Sequence, residues 1–127
     1  MDEDLFRKGL QTRREVLGAL HVDKSISDAD EFTRPLQELV TGCAWGAVWS
    51  RPGLNRKTRS LLVLAMTIAL NRPHEFKLHL KGAVNNGCTR EEIREALLQS
   101  AIYCGMPAAI DGFRLAKEVF SEIDSGK

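Results

Sequence analysis

Apolar residues recur at spacings of three and four almost from one end of this 127-residue chain to the other, and they never alternate over a strand's length. The three-to-four spacing keeps side chains on one face of a helix, so the pattern calls for an all-α fold. It predicts a bundle of about six helices. Leu5, Phe6, Leu10, Val16, Leu17 and Leu20 mark a first that ends near Gly18, and Phe32, Leu36, Leu39, Val40, Cys43 and Ala47 form a second stripe. Pro35 fits that helix only near its start, where backbone N–H groups have no partner within the helix. After the turn SRPGLN, 50–55, a third helix runs from about Arg56 to Leu70. Arg72-Pro73 opens a fourth, which closes at Asn85-Asn86-Gly87, where glycine takes the left-handed conformation. Thr89 and Glu92 make a capping box for a fifth, with Ile93, Leu97, Ala101 and Cys104 on its inner face. Pro107 starts a sixth that carries Phe113, Ala116, Phe120 and Ile123, with Tyr103 expected to pack beside the last two. Connections are short and nothing repeats, so residues 1–127 are expected to form a single domain.

Charge and cysteine usage remove several function classes. Eighteen basic against seventeen acidic side chains leave a net charge of +1, which gives no electrostatic case for nucleic acid or a membrane surface. The longest apolar run, LLVLAMTIAL (61–70), is half of the roughly 20 residues a membrane-spanning helix needs, and reads as a helix buried in the interior. The opening MDEDLFRKG is acidic where an export signal would be basic and then apolar. Cys43, Cys88 and Cys104 are an odd number at wide spacings without a CxxC. Reduced thiols in a cytoplasmic protein are therefore the expectation.

The stretch HEFKLHLKGAVNNG, 74–87, holds the chemistry-bearing cluster. At about 100° per residue, Glu75 and His79 lie about 40° apart on one helix face, and Arg72 falls on that face one turn below. His74 points about 140° away from His79. A zinc-protease pattern needs histidines four apart, and here they are five apart with no third ligand in view. A carboxylate beside an imidazole is expected to raise its pKa and make it a usable acid near neutrality. Arg72 and the unpaired N–H groups of the first turn favour an anion at the same end. The competing reading is a solvated Glu–His pair on a surface helix, worth a few tenths of a kcal/mol. Trp45 and Trp49, four apart, are by their spacing more often core packing than a ligand wall, and Arg51 sits in a turn where solvated charge is usual.

The segments WGAVWSRPGL, RKTRSLLVLAM, NRPHEFKLHLKGAVNNG and YCGMPAA, in that order, resemble the carboxymuconolactone decarboxylase family over roughly residues 30–120. Its wider superfamily includes the D-type alkylhydroperoxidases, whose redox CxxC is followed four residues later by a histidine. Matching that histidine to His79 puts Arg72 and Glu75 in place of the two cysteines, and Ser60 near the position of an acidic residue. Dithiol peroxidase chemistry would thus lack its nucleophile.

The resemblance implies an alkylhydroperoxidase D-like all-α fold and the cofactor-free decarboxylation of 4-carboxymuconolactone to 3-oxoadipate enol-lactone in the β-ketoadipate route of aromatic acid breakdown. It implies His79 as proton or oxyanion donor and Glu75 as its orienting partner. Arg72, and more weakly His74, would bind a substrate carboxylate, while Arg51, Trp45 and Trp49 would complete the pocket wall. No metal and no cofactor are expected. A lactone dicarboxylate is the implied partner, together with further copies of the chain in a homo-oligomer, a hexamer by the family's habit.

Overall fold

Gly18, at φ +94°, ends the first helix where the sequence placed its end. The computed structural model describes residues 2–126, and no strand occurs among them. It has seven α-helices and one π-helical segment where six helices were expected: α1 Glu3–Leu17, α2 Ala19–Ser27, α3 Arg34–Leu39, π1 Val40–Trp49, α4 Arg56–Ala69, α5 Pro73–Asn85, α6 Arg90–Tyr103 and α7 Met106–Asp124. The contacts group the chain into two compact units, one up to Arg56 and one from Lys57 onward.

In the first unit α1 starts on the Asp2 carboxylate, which accepts from the Asp4 and Leu5 amides, and packs against π1. That approach is close because both helices present glycine. A Cβ added at Gly9 would overlap the Thr41 carbonyl, and one at Gly46 the Leu5 carbonyl. Pro35 sits in the first turn of α3, as its missing N–H requires. From Val40 the helix widens to the π form, whose i→i+5 register is rare. In that register Trp45 and Trp49 stack, ring centroids 4.6 Å apart, and both are buried. The buried Arg13 spans from α1 to Gln37 Oε1 (2.9 Å) and Thr41 Oγ1 (3.1 Å) through Nη1. The stripe Phe32, Leu36, Leu39, Cys43 and Ala47 lies on the outside of the chain, with Phe32 90% exposed. Leu20, counted with the first stripe, is also exposed.

The second unit closes around Leu64 and Ile68 of α4, Phe76, Leu80 and Ala83 of α5, Ile93 and Leu97 of α6, and Ala116 and Val119 of α7. Its caps are those expected. Pro73 occupies the first turn of α5, Gly87 ends that helix at φ +89°, and Thr89 and Glu92 exchange both bonds of a capping box. Two expectations change. The run 61–70 buries only one face, leaving Leu62, Met66 and Leu70 exposed. Tyr103 is 83% exposed instead of packed, and Cys104 is exposed too. No helix among the described residues is long and apolar enough to cross a membrane.

Candidate active site around His79

The junction between α4 and α5 sets where the cluster stands. Asn71 takes the left-handed conformation at φ +56°. Its amide reaches Ile68 O (3.3 Å) and that of Arg72 reaches Thr67 O (2.8 Å), the pair of bonds that closes a helix over its last carbonyls. Asparagine is the side chain that tolerates this geometry best after glycine. Arg72 then caps α5, and its Nη1 turns back to Leu70 O (3.3 Å) and Asn71 O (3.4 Å). Pro73 begins the helix with the φ it already holds. Glu75 falls in the first turn, where a carboxylate complements the helix dipole.

His79 shares the inward face of α5 with Phe76, Leu80 and Ala83 and is only 9% exposed. Glu75, one turn earlier, has a side chain 52% exposed. The two form neither a solvated surface pair nor a hydrogen bond: Nε2 to Oε2 is 3.9 Å, the distance of a loose ion pair. Burial pushes the His79 pKa below its ordinary 6.5, and the Glu75 charge only partly opposes this. The expected rise is thus reversed. Withdrawing the imidazolium from water outweighs a half-solvated carboxylate at that range. Near pH 7 the ring is neutral, able to donate one hydrogen bond and accept another. His74 lies exposed in the first turn of α5.

A second polar contact in this unit carries no sequence signal of its own. Ser60, fully buried on α4, accepts a 2.8 Å hydrogen bond from Asn86 Nδ2. A groove of about 590 Å³ runs along α4 and α6 past Leu62, Ala65 and Ala96. It is mostly apolar and has no histidine, arginine or lysine among its lining residues.

The remaining candidates belong to the first unit. Trp49 and Arg51 line a cleft of about 450 Å³ there, together with Lys8, Glu15 and Arg56. Trp45 stacks on Trp49 and is buried. Lys8 and Glu15 were not singled out from the sequence, although Lys8, Gln11, Thr12 and Glu15 follow the three-to-four spacing of one face of α1. Among the described residues, no three histidine, cysteine, aspartate or glutamate side chains converge as a ready metal site. The thiol of Cys88 is buried, and that burial raises its pKa.

An all-α chain with a buried, neutral histidine one helical turn from a carboxylate, and with no cysteine pair beside it, defines a class apart from the thiol peroxidases. The carboxymuconolactone decarboxylase family model matches residues 34–118, and the chain belongs to that family. It is 42% identical over 122 residues to 4-carboxymuconolactone decarboxylase of Acinetobacter baylyi, covering 96% of this chain and 91% of that one. It is 46% identical over 124 residues to a nitrosuccinic acid decarboxylase of Metarhizium robertsii, covering 97% and 87%. An uncharacterized 15.0 kDa protein of Paracoccus denitrificans matches at 30% identity over 130 residues, covering 96% and 95%.

Proposed function

We propose that the protein is a cofactor-free carboxy-lyase acting on a small dicarboxylic acid, with 4-carboxymuconolactone as substrate and 3-oxoadipate enol-lactone and CO2 as products. The reading is carried by the 42% identity, over nearly the whole of both chains, to the Acinetobacter baylyi decarboxylase. The buried His79 beside Glu75 supplies the chemistry to go with it.

The substrate is its own electron sink. When the ring carboxylate leaves as CO2, its electron pair passes through the ring double bond into the lactone carbonyl and gives a dienolate. A neutral His79 serves this step as an N–H donor to the developing oxyanion, in surroundings where water does not compete for it. Glu75 orients the ring. Arg72 and, more weakly, His74 bind a substrate carboxylate at the start of α5, while Arg51, Trp45 and Trp49 act in substrate binding from the first unit. Protonation of the ring carbon completes the reaction.

A second substrate has a specific observation behind it, the 46% identity to nitrosuccinic acid decarboxylase. Nitrosuccinate also loses a carboxylate beside an electron acceptor, the nitro group, and also keeps a second carboxylate. EDTA-treated protein given each acid in turn, with CO2 release followed against the spontaneous rate, decides between them. Turnover of the lactone at the higher kcat/KM supports the reading, and turnover of nitrosuccinate alone replaces it.

The family match runs across the division at Arg56, which supports treating residues 1–127 as one domain of that family. We also infer a homo-oligomer, because exposed Phe32, Leu36, Leu39, Leu62, Met66 and Ile102 are apolar surface that a monomer rarely leaves open, and a hexamer is the size that the family resemblance implies. Light scattering of the purified protein tests this, and a monomer at all concentrations overturns it. A cytoplasmic setting is supported by three cysteines that form no disulfide.

A further inference from the structure

The cleft of the first unit has the charge and size of a binding site in its own right. One wall is the face of α1 carrying Lys8, Thr12 and Glu15, and the other is the segment from Trp49 to Arg56. A hydroxyl strut ties the two walls together. Ser50 Oγ donates to Trp45 O (2.7 Å), so at the 2.8 Å contact between Ser50 and Thr12 it is the Thr12 hydroxyl that donates. Both hydroxyl protons are thus committed within the strut. Three cations line the cleft, Lys8, Arg51 and Arg56, against one carboxylate, Glu15, which holds Arg56 at 2.9 Å. The net charge of the lining is therefore +2 on a chain whose total is +1. Its cations are carried on both walls. A volume of about 450 Å³ lies within the range of small-molecule sites.

The geometry points to a dicarboxylate-binding site in this cleft, with Lys8 and Arg51 as the anion-binding side chains and Glu15 as a brake on their affinity. The class of anion rests on the function proposed above; the placement rests on the cleft alone. A dicarboxylate can meet Lys8 on one wall and Arg51 on the other at once, which a monocarboxylate cannot, so the site discriminates by the number of carboxylates. Arginine suits such a site because its planar fork meets a carboxylate with two parallel bonds.

Equilibrium dialysis of the whole protein with labelled succinate, an unreactive dicarboxylate, tests this. Saturable binding is expected, with propionate competing at least about tenfold more weakly. Lys8→Ala and Arg51→Ala should each weaken binding by about tenfold or more, the usual cost of losing a charged hydrogen-bond partner. Glu15→Gln should strengthen it, an outcome that a merely structural role would not produce. Trp45 and Trp49 are the only tryptophans, and Trp49 lines the cleft, so indole emission should change over the same concentration range. Absence of saturable binding, equal competition by propionate, or unchanged binding in both Lys8→Ala and Arg51→Ala overturns the site. Succinate binding that depends on Lys8 in a protein without decarboxylase turnover would sink the proposed function and leave the cleft standing. Turnover with succinate binding indifferent to Lys8 would do the reverse.

Discussion

Nε2 of His79 stands 3.9 Å from Oε2 of Glu75, and the two groups live in different solvents, the imidazole buried and the carboxylate half in water. A half-exposed carboxylate at that range contributes about 1 kcal/mol or less. Desolvating an imidazolium costs more, so burial sets the sign and the ring is neutral at physiological pH.

The pH profile of activity follows from that sign. If the neutral ring is the working form, kcat/KM stays level on the alkaline side and falls only on an acid limb below pH 6.5. An imidazolium acting as the acid would give the opposite limb, with activity lost as pH rises. A kcat/KM profile between pH 5 and 9 separates the two.

Stability carries the same signature. The folded His79 binds its proton less readily than the unfolded one, so its contribution is complete above pH 6.5 and is lost as pH falls from there through the lower folded value. His79→Gln should therefore lose less melting temperature than the wild type between pH 6.5 and pH 5. Equal losses in the two proteins would contradict the assignment.

Glu75 opposes the effect of burial, so Glu75→Gln should move the His79 titration further down. The three histidines, His21, His74 and His79, are few enough for NMR to follow each through a titration. No shift in this variant would mean that the two side chains are not coupled, and an upward shift would contradict the sign of the coupling.

How far the sequence carried depends on what decides each feature. Local chemistry decides a helix end, so Pro73, Gly87 and the Thr89–Glu92 box were readable in advance. Burial is decided by what else packs on a face. The stripe from Phe32 to Cys43 has a core-like spacing yet faces outward, as do Tyr103 and half of the run 61–70. A spacing rule reports that a face is apolar and not what covers it. The same limit hid the sign of the His79 shift: spacing put Glu75 on the right face, but only packing shows that His79 is buried and Glu75 is not. The break at Gly18 was placed correctly, yet α2 beyond it was not foreseen, because Ala19–Ser27 buries only Val22 and so has almost no apolar stripe to detect.

Two backbone positions offer tests that do not involve the site. Gly9→Ala would drive a methyl group into the Thr41 carbonyl where α1 meets π1. Backbone cannot step aside as a side chain can, so a loss of about 1–3 kcal/mol or more is expected in chemical unfolding. At Asn71, glycine should be neutral or better, whereas valine should cost about 1–2 kcal/mol because a β-branched residue resists φ +56°.

The most direct test of the account is the rate of CO2 release from freshly generated 4-carboxymuconolactone by the wild type and by a folded His79→Gln variant, both treated with chelator. The account predicts turnover well above the spontaneous rate in the wild type and a kcat/KM about 10²–10⁴-fold lower in the variant. A variant that keeps near wild-type kcat/KM would contradict it and return His79 to the role of a buried core residue.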